Sequence, residues 1–115
     1  SRPHLLLFDD PTSGLDPITA KTVMDEIVKL RDLEEVTPVV VTHQLPDAFY
    51  VAGHQAVHVN GEVKVTPAPP GQDAQADVIL LKDGRVYFEG TASQLRGSRD
   101  PYVTAFLTGW FPPLT

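Results

Sequence analysis

The rhythm of apolar and polar residues changes along the chain, and each change marks an element. Leu5-Leu6-Leu7-Phe8 is a short apolar run closed by Asp9-Asp10-Pro11. A run without alternation predicts a strand buried on both faces, as in a parallel sheet. Thr12-Ser13-Gly14 is loop chemistry, and Asp16-Pro17 is a helix start, with Asp at the N-cap and Pro at the first helical position. Ala20, Val23, Met24, Ile27 and Leu30 then recur at helical spacing and predict one apolar face on a helix that runs to about Leu33. After Glu34-Glu35 and Pro38, Val39-Val40-Val41-Thr42 predicts a second fully buried strand, ending at His43-Gln44. Strand, helix, strand is a βαβ unit, whose two strands should be parallel. Leu45-Pro46-Asp47 opens a short helix through about Ala52.

Beyond Gly53 the period shortens to two. Residues 56–59 and 62–65 predict a hairpin around Asn60-Gly61, and 78–81 with 86–89 a second one around Asp83-Gly84. Between them, Pro67 to Ala76 is a Pro/Gly/Gln-rich surface loop. Thr91 to Leu95 is a short helix. Asp100-Pro101 starts a last helix that places Tyr102, Phe106 and Trp110 on one face, and Pro112-Pro113 ends it. No internal repeat is visible.

Composition narrows the function classes. A length of 115 residues allows one modest domain. Such a chain buries roughly two thirds of its unfolded surface, enough for a real core. Nine basic against fifteen acidic residues give a net charge of −6. That balance argues against a general nucleic-acid binder and offers no pull towards anionic lipid. No apolar run approaches the ~20 residues of a membrane span. The N-terminus lacks the pattern of a signal peptide. With no Cys, disulfides, thiolate metal sites and cysteine nucleophiles are excluded. Ser1 stands where a Met would start a gene product, and a strand begins almost at once, so the chain is expected to be cut from something longer.

Three places carry candidate chemistry. Ligands of open parallel sheets bind outside the carboxyl ends of the strands, where Asp9 and Asp10 fall. One carboxylate there can hold Mg²⁺ and the other can orient a water for attack on a γ-phosphate. The plainer alternative is an acidic pair that caps a turn in solvent. His43, at the end of the neighbouring strand, can donate to a phosphate oxygen or hold the attacking water, or simply cap the next turn. In Ser13-Gly14-Leu15-Asp16, Asp16 is first of all a good N-cap. His4, His54 and His58 lack such a setting and are expected at the surface or at strand edges.

In order, these pieces resemble one family. Residues 5–17, Leu-Leu-Leu-Phe-Asp-Asp-Pro-Thr-Ser-Gly-Leu-Asp-Pro, are similar to the Walker B strand and D-loop of an ABC transporter ATPase. Val40-Val41-Thr42-His43 resembles its H-loop. Leu81-Lys82-Asp83-Gly84-Arg85-Val86 and Glu89-Gly90-Thr91 resemble its C-terminal hairpin and the turn after it. The resemblance implies an α/β fold: part of a P-loop NTPase-type parallel sheet, with C-terminal β-hairpins and short helices. It implies a division into 1–53 (Walker B, D-loop and H-loop unit), 54–77 (an inserted hairpin and Pro-rich loop) and 78–115 (final hairpin and helices).

The family also implies roles. Asp9 would be the Mg²⁺ carboxylate, and Asp10 would stand at the position of the catalytic glutamate. His43 would be the switch histidine at the γ-phosphate. Asp16 would be the D-loop acid that communicates across an ATPase dimer, with Ser13 beside it in the nucleotide site. Asp10 departs from the pattern by one methylene, and Gln44 stands where many members have Asp. No stretch matches G-x-x-x-x-G-K-[ST], and no signature Ser-Gly-Gly segment or Q-loop is present in these residues. The implied function is therefore part of an ATP-binding subunit that uses ATP and Mg²⁺ to drive transport, inactive as this piece alone. The implied partners are a second ATPase subunit and membrane permease subunits, on the cytoplasmic face of a membrane. Residues 47–52 and Asp100-Pro101-Tyr102 are similar to ATPases of lipid-trafficking importers. Two other classes stay open: a nucleotide-binding regulatory module with weak turnover, favoured by Asp10, and a receiver-like phosphoacceptor, disfavoured by the Ser-Gly-Leu-Asp loop and the late hairpins.

Overall fold

The structure, a computed structural model, describes residues 4–69 and 76–111. Most of the Pro-rich loop, residues 70–75, and the Pro112-Pro113 stop lie outside the described residues. Strand β1 (Leu5–Asp9) leads through a turn into helix α1 (Pro17–Leu33), which is followed by strand β2 (Thr37–Val41). The predicted βαβ unit is present, and β1 and β2 pair in parallel, Leu5 opposite Thr37 and Asp9 opposite Val41. Helix α1 starts where the sequence said it should. The Asp16 carboxylate accepts from the amides of Ile18 and Thr19, and Pro17 opens the first turn.

Helix α2 (Leu45–Gly53) runs directly into strand β3 (His54–Val59), which returns as β4 (Glu62–Pro67). The turn between them has Asn60 at φ +52° and Gly61 at φ +82°, the doubly left-handed conformation that the Asn-Gly pair tolerates. Strands β5 (Val78–Lys82) and β6 (Arg85–Gly90) repeat the device with Asp83 and Gly84. Helix α3 (Ala92–Arg96) is capped reciprocally by Thr91 and Gln94, and α4 (Pro101–Trp110) by Asp100.

The class is mixed α/β, with three separate two-stranded sheets: β1 with β2, β3 with β4, β5 with β6. One expectation is corrected. Neither β1 nor β2 is buried on both faces. Leu5, Leu7, Val39 and Val41 share one face of the parallel pair and are all 42–69% exposed. The opposite face, with Leu6, Phe8 and Val40, is half-buried. A buried parallel sheet needs a layer on each side, and the described residues supply one side only. Helix α4 packs by one side. Its inward residue is Val103, with Phe106 and Leu107 packed beside it, while Trp110 is exposed. Tyr102 turns instead to the β5–β6 hairpin, edge-on to Tyr87 and under the Lys82 ammonium.

Buried side chains fall into two groups. Met24, Ile27 and Val28 of α1 are buried, as are Val36 and Ala56. Leu45, Phe49, Ala52, Ala92, Leu95 and Val103 form the other, with Leu80 and Phe88 packed against it. Arg31 links α1 to the chain beyond it. Its guanidinium donates to the carbonyls of Val51 and His54, where α2 becomes β3, while Asp32 accepts from the Ala56 amide.

Candidate active site

The carboxyl ends of β1 and β2 lie side by side because their register is parallel. Asp9 is the last residue of β1 and is exposed. Asp10 then takes a left-handed conformation, φ +45°, which Asp tolerates better than most residues. Its amide donates to the Val41 carbonyl at 2.7 Å, extending the strand pairing by one residue. This turn leaves the Asp10 side chain beside the end of β2.

His43 meets it there. The His43 amide donates to Asp10 Oδ1 at 3.2 Å, and His43 Nδ1 lies 3.1 Å from both carboxylate oxygens. With the proton on Nδ1 the ring donates to the carboxylate and leaves Nε2 for another partner. The imidazole is 87% exposed. The His43 side-chain hydrogen bond holds the Asp10 carboxyl below its ordinary range; desolvation opposes it, and the His43 amide and charge add to the lowering. Asp10, like an unperturbed carboxyl, is ionised at neutral pH.

The remaining predicted site residues are placed differently. Asp16 spends its carboxylate on the start of α1: the Thr19 hydroxyl donates to Oδ1 at 2.6 Å and two amides donate to Oδ2. That hydroxyl, with the Thr19 and Ile18 amides, lowers its pKa. Ser13 is exposed, and its amide donates to the Asp10 carbonyl at 3.1 Å. Asp9, Asp10 and His43 are thus brought to one edge, and Ser13 and Asp16 lie on the turn that leads away from it.

One contact escaped the sequence reading. The Thr12 hydroxyl donates to Asp47 Oδ2, linking the turn after β1 to the first turn of α2. Thr12 is the one buried polar residue among those described, 4% exposed. In sequence it looked like loop filler, and Asp47 like an acid suited to a helix start. A polar residue flanked by Pro11 and Ser13, followed later by an acid in a first helical turn, is the only signal that existed.

The donors at this edge suit Mg²⁺ only in part. Among the described residues no group of three or more His, Cys, Asp or Glu can hold a metal ion. Mg²⁺ commonly uses only one or two carboxylates, with waters and phosphate oxygens completing its shell. Asp9 and Asp10 fit a cation that arrives with a phosphate ligand, and do not fit one held by protein alone. Beside this edge a cleft of about 1300 Å³ opens between β2 and the β5–β6 hairpin, lined by Val39, Val41, His43, Ile79, Leu81 and Phe106 among others. No described helix is long and apolar enough to cross a membrane.

No family model matches the chain. Curated relatives do. The chain is 30% identical over 107 residues to the intermembrane phospholipid transport system ATP-binding protein MlaF of Escherichia coli, covering 93% of this chain and 31% of that protein. It is 36% identical over 78 residues to the energy-coupling factor transporter ATP-binding protein EcfA2 of Halalkalibacterium halodurans, covering 68% and 28%. It is 40% identical over 63 residues to ABC transporter I family member 17 of Arabidopsis thaliana, covering 55% and 24%. The chain spans about a quarter to a third of the length of these relatives.

Proposed function

The chain belongs to the ATP-binding proteins of ABC transporters, and on that premise we propose that it forms the hydrolysis side of a nucleotide site whose turnover drives transport. The observation that carries the proposal is the contact between Asp10 and His43, at the ends of adjacent parallel strands and far apart in sequence. A carboxylate and an imidazole held together at a strand edge are what positioning a water against a terminal phosphate requires.

In this reading Asp9 is the Mg²⁺ carboxylate. Bound there, the cation would neutralise charge on the β- and γ-phosphate oxygens. Asp10, ionised at neutral pH and oriented by His43, accepts a hydrogen bond from the attacking water and fixes its direction. As the water oxygen bonds to the γ-phosphorus, the bond from that phosphorus to the bridging oxygen breaks. ADP leaves with that oxygen, and the water's proton passes through Asp10 to solvent or phosphate. His43 Nε2 faces the γ-phosphate oxygens, where negative charge is redistributed. Ser13 and Asp16, on the turn after the strand, are read as the part of the site that meets a second ATPase subunit across a dimer. The fold is read as part of a P-loop NTPase-type sheet. The working location is the cytoplasmic face of a membrane, against permease subunits. The 93% coverage against the phospholipid-system relative supports lipid as the cargo class.

The second reading, a nucleotide-binding regulatory module with weak turnover, is favoured by Asp10 itself. A carboxylate one methylene short displaces the water by ~1 Å, which can cost about a hundredfold in rate.

Phosphate release separates the readings. The 115-residue chain alone is expected to show no turnover, since it has no phosphate-cradling loop sequence. A longer ATP-binding protein carrying this sequence is expected to hydrolyse ATP, with His43→Ala lowering kcat far more than ATP affinity. Turnover by the short chain that Asp9→Asn abolishes would overturn the first expectation. Equal rates for His43→Ala and wild type would overturn the second.

A further inference from the structure

We propose that Thr12 and Asp47 form a latch that holds the His43 turn against Asp10, which makes Thr12 a positioning residue for the hydrolysis proposed above. His43 is held by the turn that carries it. Its turn, residues 42–44, joins the end of β2 to the start of α2. At the strand end it is tied down by the Asp10 amide on the Val41 carbonyl. Within the turn, the Gln44 amide donates to the Thr42 hydroxyl at 2.9 Å. The His43 ring itself is open to solvent and, among the described residues, hydrogen-bonds only to Asp10. What fixes the helix end of the turn must therefore come from α2.

Asp47 supplies it. Its amide donates to the Gln44 carbonyl at 3.0 Å, so it belongs to the same turn of chain as His43. Its carboxylate accepts from the buried Thr12 hydroxyl. Thr12 is itself bracketed by two turns that close on either side of it, Ser13 amide to Asp10 carbonyl and Leu15 amide to Thr12 carbonyl. Asp10 and Thr12 thus sit on one short segment and reach two points, His43 and Asp47, on another. Two cross-links between the same pair of segments fix an orientation where one would leave a pivot. A buried hydroxyl also has no water to fall back on, so the link is costly to leave unmade.

The structural claim stands on the 115-residue chain; only its catalytic consequence rests on the function proposed above. The test is exchange of the His43 amide with solvent, read by NMR on the full chain. Thr12→Val removes the donor at nearly constant shape, and Asp47→Ala removes the acceptor. Each is expected to speed His43 exchange about tenfold, the scale of one lost hydrogen bond. The Ile27 and Val28 amides of α1 should not change. The double variant should do no more than either single, and Thr12→Ser and Asp47→Asn, which keep a donor and an acceptor, should behave as wild type. Unchanged His43 exchange in folded Thr12→Val and Asp47→Ala would overturn the latch. So would a rise spread evenly to Ile27 and Val28, because that is loss of global stability. Should Thr12→Val fail to fold, Asp47→Ala makes the same comparison.

In a longer ATP-binding protein carrying the sequence, both variants should lower kcat by ten- to about a hundredfold with KM for ATP unchanged, and Thr12→Ser should restore it. An unchanged kcat would overturn the positioning role. Absence of hydrolysis by the wild-type longer protein would overturn the proposed function, and the exchange measurement would then decide the latch by itself.

Discussion

Asp16 and Asp10 show how one residue type divides by setting. Asp16 gives both carboxylate oxygens to the first turn of α1 and is held below its ordinary pKa by the Thr19 hydroxyl first and by amides second. A depressed folded pKa means stability that is present above the unfolded value, about 3.9, and is lost as pH falls through the folded one. The stability advantage of wild type over Asp16→Ala is therefore expected to be largest near neutrality and to shrink below about pH 4. Urea melts of both proteins at pH 7 and pH 3 check it; an advantage that does not change with pH would remove the carboxylate from the account. Asp10 tests the shorter acid. In a longer ATP-binding protein, Asp10→Glu is expected to raise hydrolysis, up to about a hundredfold if the missing methylene is what misplaces the water. Loss of turnover in that variant would mean that the left-handed backbone at Asp10 already compensates for the shorter side chain. The N-cap was legible in the sequence because Asp-Pro before an apolar stripe is a local signal. The Thr12–Asp47 contact was not, because it depends on where two distant turns are carried by the fold.

At the scale of elements, boundaries read from Pro, Gly and capping residues hold well, and burial read from hydrophobic runs does not. Every predicted strand and helix among the described residues is present. Yet α1 buries Val28, which the periodic pattern omitted, more completely than Val23 or Leu30, which it included. Ile18 and Ile27 make the contrast measurable: one is 81% exposed and the other 1%. Ile27→Ala is expected to cost about 2–5 kcal/mol, through lost burial and the cavity left behind. Ile18→Ala should stay within about 0.5 kcal/mol. Equal shifts in denaturation midpoint would contradict the packing described for α1. In the β3–β4 turn nothing crowds a side chain at Gly61, so strain at φ +82° acts alone. Gly61→Ala is expected to cost about 1–2 kcal/mol, and Gly61→Asn less, since Asn visits that conformation more readily.

For the whole molecule, the decisive feature is the unfinished parallel pair. A continuous apolar run says that a strand is covered, and not by what. Sequence therefore pointed to a covered sheet, whereas in this chain Leu5, Leu7, Val39 and Val41 face outward. Strand β2 pairs only with β1 among the described residues, and its other side opens on the 1300 Å³ cleft. Long apolar edges recruit further strands. Sedimentation is expected to show association that grows with concentration, and Val39→Lys or Val41→Lys should suppress it; a monomer at high concentration would refute this. The same topology has a kinetic consequence. Each antiparallel ribbon closes through a two-residue turn, whereas β1 and β2 can meet only after all of α1 has been laid between them. Non-local pairing carries the loop-closure cost before its contacts repay it. The parallel pair should therefore govern how fast the chain folds. Val40→Ala is expected to slow refolding, while Val57→Ala in the β3–β4 ribbon should chiefly accelerate unfolding. Stopped-flow chevrons for the two variants would show the asymmetry directly, and parallel displacement of both arms in both variants would assign the nucleus elsewhere.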